Sequence, residues 1–184
     1  LESHFSQKVR LVWQPEHSIN GLSSINSFYR ECVDEQSIYI KLDDDILWMD
    51  PDFFEDIAKF RVSHPEYLFI SPLVINNAKS TYILQVREKL ILSQYQDANS
   101  FGSNTWQSPD FALELHNWFF QNYLKTGQYP ELYCGSIPIG ITRFSINCIV
   151  WMGRDMKQNA GLVIGDDEEY LSSILPTRFG RSNC

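Results

Sequence analysis

Hydrophobic runs and amphipathic stretches alternate along this chain, and polar residues, glycine or proline separate them. Nearly continuous apolar runs predict strands at residues 9–13, 37–42 and 67–75, and a β-rich stretch at 137–151. Apolar residues spaced three and four apart predict helices at residues 18–31, 51–64, 109–127 and 166–175, with a further helix at 82–92. The chain is therefore expected to be a mixed α/β protein.

Two of these helices have a recognisable start. Asp50 precedes Pro51 and Ser108 precedes Pro109, so each pair places a capping side chain before a proline at the first helical position. His64 followed by proline ends the first of the two helices, and Gly127 ends the second.

The alternation of strands with capped helices predicts one α/β domain over residues 1–184, with a mainly parallel sheet flanked by helices. In such sheets ligands bind at the carboxyl ends of strands. The predicted strand at 37–42 ends in three consecutive acids, Asp43, Asp44 and Asp45. A candidate site is therefore expected there.

Composition narrows the classes of partner. The chain has 15 Lys plus Arg against 23 Asp plus Glu, a formal net charge of −8, and no basic run that could follow a phosphate backbone. No apolar run reaches the roughly 20 residues of a membrane span. Four widely spaced cysteines favour reduced thiols. We expect a cytoplasmic protein that binds no nucleic acid and has no transmembrane segment, with peripheral membrane attachment left open.

The acidic triplet has two interpretations. Adjacent carboxylates repel one another, and Mg²⁺ or Mn²⁺ relieves that repulsion while also holding a diphosphate. The alternative is a solvated acidic turn. A second group of acids, residues 166–169, follows Gly165 at the start of a predicted helix. These acids either complement the helix dipole or include a general base.

Three features in order carry a family resemblance. Asn20 and Gly21 form a turn before a helix that contains Asn26, the acidic triplet ends the next strand, and Asp50 with Pro51 follows. This order resembles the GT-A-fold nucleotide-sugar glycosyltransferases, especially the inverting family 2 class. The resemblance implies a GT-A-like, Rossmann-like fold and a nucleoside diphosphate sugar as the donor.

The resemblance also implies roles for the acids. Asp43 and Asp45 would flank the donor diphosphate and hold Mn²⁺ or Mg²⁺, Asp44 would point to the ribose or the sheet edge, and Asn20 would belong to the donor site. Asp167 matches the general base that takes a proton from a hydroxyl-bearing acceptor, a glycan, lipid or protein. Asp166 is the alternative base, since a shift of one residue at a helix start is not resolved by sequence.

The family's first βαβ segment, which grips the nucleoside base, is not recognisable here. We therefore expect part of the natural protein to precede Leu1. Two rival functions stay open. A haloacid-dehalogenase-like phosphatase would use Asp43, Asp45, Ser71 and the acids after Gly165, and an inactive glycosyltransferase-like domain would bind its ligand without turnover.

Overall fold

The computed structural model describes Val12 and residues 21–184. In this part of the chain there are two strands, β1 (Ile38–Leu42) and β2 (Cys148–Met152). The α-helices are α1 (Leu22–Ser27), α2 (Phe53–Ser63), α3 (Ala78–Val86), α4 (Asn104–Gln107), α5 (Pro109–Phe119), α6 (Gly153–Lys157), α7 (Asp167–Glu169) and α8 (Leu175–Phe179). Helical turns of other types extend or join them: 3₁₀ turns at Phe28–Glu31 and Tyr129–Leu132, and π turns at Phe120–Leu124 and Tyr170–Ile174.

Strand β2 lies at the centre of the extended layer. It pairs antiparallel with β1, with Ile38 opposite Met152 and Leu42 opposite Cys148. Its other edge forms an isolated antiparallel bridge between Val150 and Ile70. Four of its five residues are buried, as expected for a strand covered on both faces.

The prediction of a GT-A-like, mainly parallel sheet is wrong, because the sheet of the described residues consists of two antiparallel strands. A hydrophobic run specifies that a segment is buried but not the direction in which it runs. The predicted strand at 67–75 contributes a single bridge at Ile70, since Pro72 has no N–H to continue a ladder. The stretch at 137–151 is predicted to be β-rich. In the structure it contributes most of strand β2 and a bridge between Gly140 and Asn183.

The helix predictions are closer to the structure. Ser108 caps α5 by accepting a hydrogen bond from the Phe111 N–H at 3.2 Å, with Pro109 in the first turn. Helix α2 begins two residues later than predicted, at Phe53, because the Asp50 carboxylate accepts the Asp52 N–H in the preceding turn. The predicted helix at 82–92 is α3, which begins earlier because Asn77 caps it.

The remaining predictions concern both ends of the chain. The helix predicted at 166–175 is present as α7, the following π turn and α8. The helix predicted at 18–31 is described from Leu22 as α1 and a 3₁₀ turn. The predicted strand at 9–13, apart from Val12, and Asn20 lie outside the described residues.

Three clusters of buried side chains hold these elements together. The largest joins Tyr29 and Trp151 to residues of the last helical segment, including Leu171 and Leu175. A second cluster is built from helices and turns between residues 84 and 132. A small third cluster contains Ile70, Val150 and Cys184 beside β1. The sheet therefore lies between α2 and the helical segment that begins at Asp167.

Candidate functional site

The acidic triplet leaves the sheet at the end of β1. The N–H of Asp43 still donates to the Asn147 carbonyl at 2.9 Å, so this residue is held against the segment that enters β2. Asp44 and Asp45 lie in the following turn and are exposed. One acid of the triplet is thus anchored to the fold, and two face the solvent.

Both carboxylate oxygens of Asp43 have partners. The Lys41 ammonium donates to Oδ1, and the Asn147 side-chain amide donates to Oδ2 at 3.4 Å. Lys41 also donates to the Ile146 carbonyl at 2.8 Å. Residues 41 and 43 lie two apart along an extended segment, which places their side chains on the same face. The carboxylate is therefore held between a cation and an amide.

Asn77 supports this arrangement from the start of α3. Its side-chain oxygen accepts the Lys79 and Ser80 N–H groups at 3.0 and 3.4 Å. Its amide nitrogen donates to the Ser145 carbonyl at 3.0 Å and to Asn147 Oδ1 at 3.3 Å. Because Asn147 Oδ1 is occupied in this way, its NH₂ group points to Asp43. Asn77, at the start of α3, thereby fixes the orientation of the Asn147 amide.

Asp166 has a structural role in the second acidic group. Its Oδ1 accepts the Glu169 N–H at 3.2 Å, which caps α7, and its Oδ2 accepts a hydrogen bond from Arg143 at 2.8 Å. The Arg143 guanidinium also binds Glu168 at 2.7 Å. Partial burial acts to raise the pKa of Asp166, but the Glu169 N–H and Arg143 outweigh it, so the pKa is lowered. Burial raises the pKa of Glu168 despite its contact with Arg143.

Asp167 has a different environment. Its Oδ2 accepts the hydroxyl of Tyr29 at 3.0 Å, and Tyr29 is 5% exposed. Burial raises the pKa of Tyr29, and the negative charges of Asp167 and of Asp43 raise it further. The phenol is therefore neutral, and it donates its hydrogen to the second acidic group.

Asn26 connects the first helix to the same region. Its amide nitrogen donates to the Gly165 carbonyl at 2.9 Å, just before the second acidic group. Its side-chain oxygen is buried and has no hydrogen-bond partner among the described residues. Asn26 and Tyr29 thus tie the first helical segment to the second acidic group, and Asn20 lies outside the part of the chain that can be described.

A divalent cation needs several ligand atoms around one point. Within residues 21–184 no three His, Cys, Asp or Glu side chains come together as a metal-binding group. Mg²⁺ in phosphate-binding sites usually takes one or two carboxylates and completes its shell with water and phosphate oxygens. The Asp43 carboxylate is already engaged on both oxygens, whereas Asp44 and Asp45 are exposed to solvent.

Sequence reasoning missed several neutral and basic side chains of the site. These are Tyr29, Asn77, Arg143 and Asn147. Their partners lie far away in the sequence, as with Tyr29 and Asp167, so no local motif marks them. The strand-end position of the triplet and the helix-start position of residues 166–169 did have a local signal.

Comparisons with known proteins found no protein similar to this chain. No protein-family model matches the chain, and neither the curated proteins nor the solved structures give a match. In the described part of the chain, every helix is too short or too polar to cross a bilayer.

Proposed function

We propose that this protein transfers a sugar from a nucleoside diphosphate donor to a hydroxyl group of an acceptor, with inversion at the anomeric carbon. The observation that carries the proposal is the position of Tyr29. Its buried hydroxyl donates to Asp167 at 3.0 Å, which joins the segment before β1 to the second acidic group, 138 positions away in the sequence. This reaction requires acids at the end of a strand that hold the donor, and a separate acid that takes the proton of the acceptor hydroxyl.

Asp45 and Asp43 form the donor side of the proposed site. Asp45 is exposed at the turn after β1, where a diphosphate can approach it, and Asp43 is fixed beside it. Mg²⁺ or Mn²⁺ held there would stabilise the negative charge of the departing nucleoside diphosphate as a Lewis acid. Asp44 is exposed in the same turn, and the family resemblance would point it to the ribose or to the sheet edge.

Asp167 forms the acceptor side. Among the described residues its partner is Tyr29, on Oδ2, which leaves Oδ1 for an acceptor hydroxyl. The carboxylate takes the proton of that hydroxyl as its oxygen bonds to the anomeric carbon. The bond from that carbon to the diphosphate oxygen breaks, and the electron pair leaves with the nucleoside diphosphate. Attack from the side opposite the leaving group inverts the carbon.

Asp166 is the weaker candidate for the base. Its two oxygens are occupied by the Glu169 N–H and by Arg143, and its pKa is lowered. A base needs an oxygen free to receive a proton. In the phosphatase alternative Asp43 would attack phosphorus, and for that role, as for metal binding, it would first have to release Lys41 or Asn147. Ser71, which that alternative also needs, donates to the Pro72 carbonyl at 3.2 Å.

Donor binding is tested first, by thermal unfolding with UDP, GDP or CDP, each with and without Mn²⁺. A ligand at 100 times its Kd stabilises by about 2.7 kcal/mol, which is several degrees for a protein of this size. We expect one nucleotide to give a metal-dependent shift that Asp45→Asn abolishes. Asp52→Asn is the matched control, because Asp52 is exposed at the start of α2 and its side chain makes no capping bond.

Other outcomes of the same panel separate the alternatives. Stabilisation by Mg²⁺ with a phosphate mimic, and by no nucleotide, would favour the phosphatase. A nucleotide shift without sugar transfer to any acceptor or to water would favour a binding domain without turnover. The cytoplasmic location and the nature of the acceptor are part of the proposal and are tested separately, by fractionation and by an acceptor panel.

The base is tested by comparing two neighbouring substitutions. Asp167→Asn is expected to lower kcat by about 100-fold or more, since general base catalysis contributes about 10²–10⁴, and to leave nucleotide binding intact. Asp166→Asn keeps a good capping residue and loses the Arg143 contact, so we expect about 1 kcal/mol or less of lost stability and a small change in kcat. A larger loss of kcat in Asp166→Asn than in Asp167→Asn would reverse the assignment.

A further inference from the structure

An open cavity of about 400 Å³ lies on the helical part of the molecule, far in sequence from both acidic groups. It is bounded by the turn after α3, by the end of α5 and by the turns that follow α5. Ligand sites have volumes of about 300–1,000 Å³, so this cavity is large enough for a small molecule. Its lining includes the aromatic rings of Trp118 and Tyr123 and the charged side chains of Glu88, Lys89 and Glu131.

Trp118 forms the apolar wall of this cavity. Its side chain is partly buried, packs against the second hydrophobic cluster and also lines the cavity. The Tyr123 ring packs edge-on against it, with the ring centroids 5.0 Å apart and the planes inclined at 61°. Tyr123 is itself tied to the turn after α3, because its hydroxyl donates to the Lys89 carbonyl at 3.5 Å. The indole of Trp118 is therefore held in place and offers a flat apolar surface to a ligand.

The charged side chains around the cavity do not neutralise one another. Among the described residues, the carboxylates of Glu88 and Glu131 and the ammonium of Lys89 have no hydrogen-bond or ion-pair partner, and all three are exposed. The Gln128 amide adds a further donor, since its oxygen accepts the Thr126 hydroxyl at 3.3 Å. A ligand in the cavity thus meets both hydrogen-bond donors and acceptors beside an aromatic surface.

Glu88 is held in a backbone conformation that favours glycine. Its φ is +56°, in the left-handed region where many helices end. The turn is fixed by two backbone hydrogen bonds of 2.9 Å, from the Glu88 N–H to the Gln85 carbonyl and from the Lys89 N–H to the Leu84 carbonyl. Glycine would adopt this conformation without strain. The Glu88 side chain therefore lowers the stability of the turn, and strained residues of this kind cluster at ligand sites.

We propose that this cavity binds a neutral sugar unit of a glycan, with the apolar face of the sugar against Trp118 and its hydroxyl groups bonded to the charged side chains. The two carboxylates repel an anion, and the Lys89 ammonium repels a cation. A hydroxyl, in contrast, accepts from an ammonium and donates to a carboxylate. No acid of the proposed transfer reaction lines the cavity, so this inference does not depend on that reaction.

The test titrates the protein with cellobiose, maltose, lactose and N,N′-diacetylchitobiose and measures binding by saturation-transfer difference NMR. Concentrations up to about 10 mM fill a site with a Kd near about 1 mM. We expect at least one disaccharide to bind, and neither tetramethylammonium nor inorganic phosphate to displace it. Glu131→Gln and Trp118→Ala should each weaken the binding about ten-fold, through a lost charged hydrogen bond and a lost stacking surface.

Glu88→Gly separates binding from folding. It should weaken disaccharide binding about ten-fold and leave the free energy of unfolding unchanged or higher, because glycine relieves the backbone strain. Two variants are matched controls and should bind as the wild type does. Glu55→Gln changes an exposed acid on α2, and Trp106→Ala removes an indole that is 81% exposed and lies outside the cavity.

Several results would overturn the proposal. These are the failure of all four disaccharides to bind, displacement by either charged probe, and binding that survives both Glu88→Gly and Glu131→Gln. Disaccharide binding that is lost in Asp167→Asn and kept in those two variants would place the sugar at the proposed acceptor side instead. The failure of every nucleotide to bind, with disaccharide binding still dependent on Glu88 and Glu131, would refute the proposed function and leave the cavity site standing.

Discussion

At the scale of single residues, Tyr29 has the largest effect on the chemistry that we propose. It is a buried phenol, and burial together with the charges of Asp167 and Asp43 keeps its hydroxyl protonated. A protonated hydroxyl has one hydrogen to donate, and here Asp167 Oδ2 receives it. In the proposed reaction, Tyr29 would therefore fix which oxygen of Asp167 faces the acceptor. It would be a positioning residue, because it would act on the substrate through Asp167.

Replacing Tyr29 with phenylalanine tests this role. Tyr29→Phe should lower kcat by about ten-fold and leave the donor KM within about two-fold, because orientation of the base is lost while the donor side is intact. The free energy of unfolding should fall by about 1 kcal/mol for the lost hydrogen bond. Steady-state kinetics and urea unfolding measure the two effects.

The control for this substitution is Tyr123→Phe. The Tyr123 hydroxyl makes a long contact of 3.5 Å with the Lys89 carbonyl, away from the acidic groups. Tyr123→Phe should therefore leave kcat unchanged. A Tyr29→Phe variant with wild-type kcat and reduced stability would show that the Tyr29 hydroxyl supports folding and does not position the base.

At the scale of secondary-structure elements, the start of a helix could be predicted better than the direction of a strand. Ser108 with Pro109 predicted α5, because a cap and a proline act on the backbone next to them. The same signal predicted the start of α2 two residues too early, because the Asp50 side chain caps the turn before the helix. The direction of β2 depends on the path of a hundred intervening residues, and no local pattern records it.

The turn after α6 shows how one element constrains another. Gly161 has a φ of +65°, and a β-carbon there would lie 2.6 Å from the Cα of Arg30 and 2.9 Å from the Tyr29 carbonyl oxygen. Only glycine fits both the backbone conformation and the close approach. The turn thus packs directly against the 3₁₀ turn that carries Tyr29.

Two glycine substitutions separate backbone strain from the steric contact. Gly127 has a similar φ of +72°, but a β-carbon there meets nothing within 4 Å. Gly127→Ala should therefore lower the free energy of unfolding by about 1 kcal/mol, from strain alone. Gly161→Ala should lower it by about 2 kcal/mol more, because backbone must also move. Urea unfolding measures both, and equal losses would contradict the contact.

At the scale of the whole molecule, alkaline conditions should weaken the fold through buried groups that must ionise. Burial raises the pKa of the Cys148 thiol to about 12, against about 8.5 in an unfolded chain. A raised folded pKa stabilises the protein fully below about pH 8.5, and that stability is lost as the pH rises towards 12. Tyr29, with its raised pKa, adds to the loss above about pH 10.

The expected loss from Cys148 is about 2.5 kcal/mol between pH 8 and pH 10.5, at about 1.36 kcal/mol per pH unit. Urea unfolding at several pH values measures it. In Cys148→Ala the free energy of unfolding should fall less steeply with pH, however much the cavity lowers its absolute value. Cys134→Ala is the control, because Cys134 is less buried and should keep the wild-type slope. Identical slopes in all three proteins would show that Cys148 does not ionise on unfolding.

The whole fold also marks the limit of what this sequence predicts. The acids of the candidate site could be named because each follows a local signal, a strand end for Asp43 and a helix start for Asp167. Their partners could not, since Lys41, Asn147 and Tyr29 become partners through the assembly of β1, β2 and α7. The parallel sheet was wrong for the same reason, because strand direction is a property of the assembled chain.

The pairing of β1 with β2 affects how the protein folds. Asp43 and Asn147 are 104 positions apart in the sequence, so closing that loop carries a large entropic cost before any contact between the strands repays it. The helices between residues 78 and 132 bury a cluster of their own, and its contacts are much closer in sequence. Contacts between distant residues form slowly, so we expect the acidic site to form after the helical cluster.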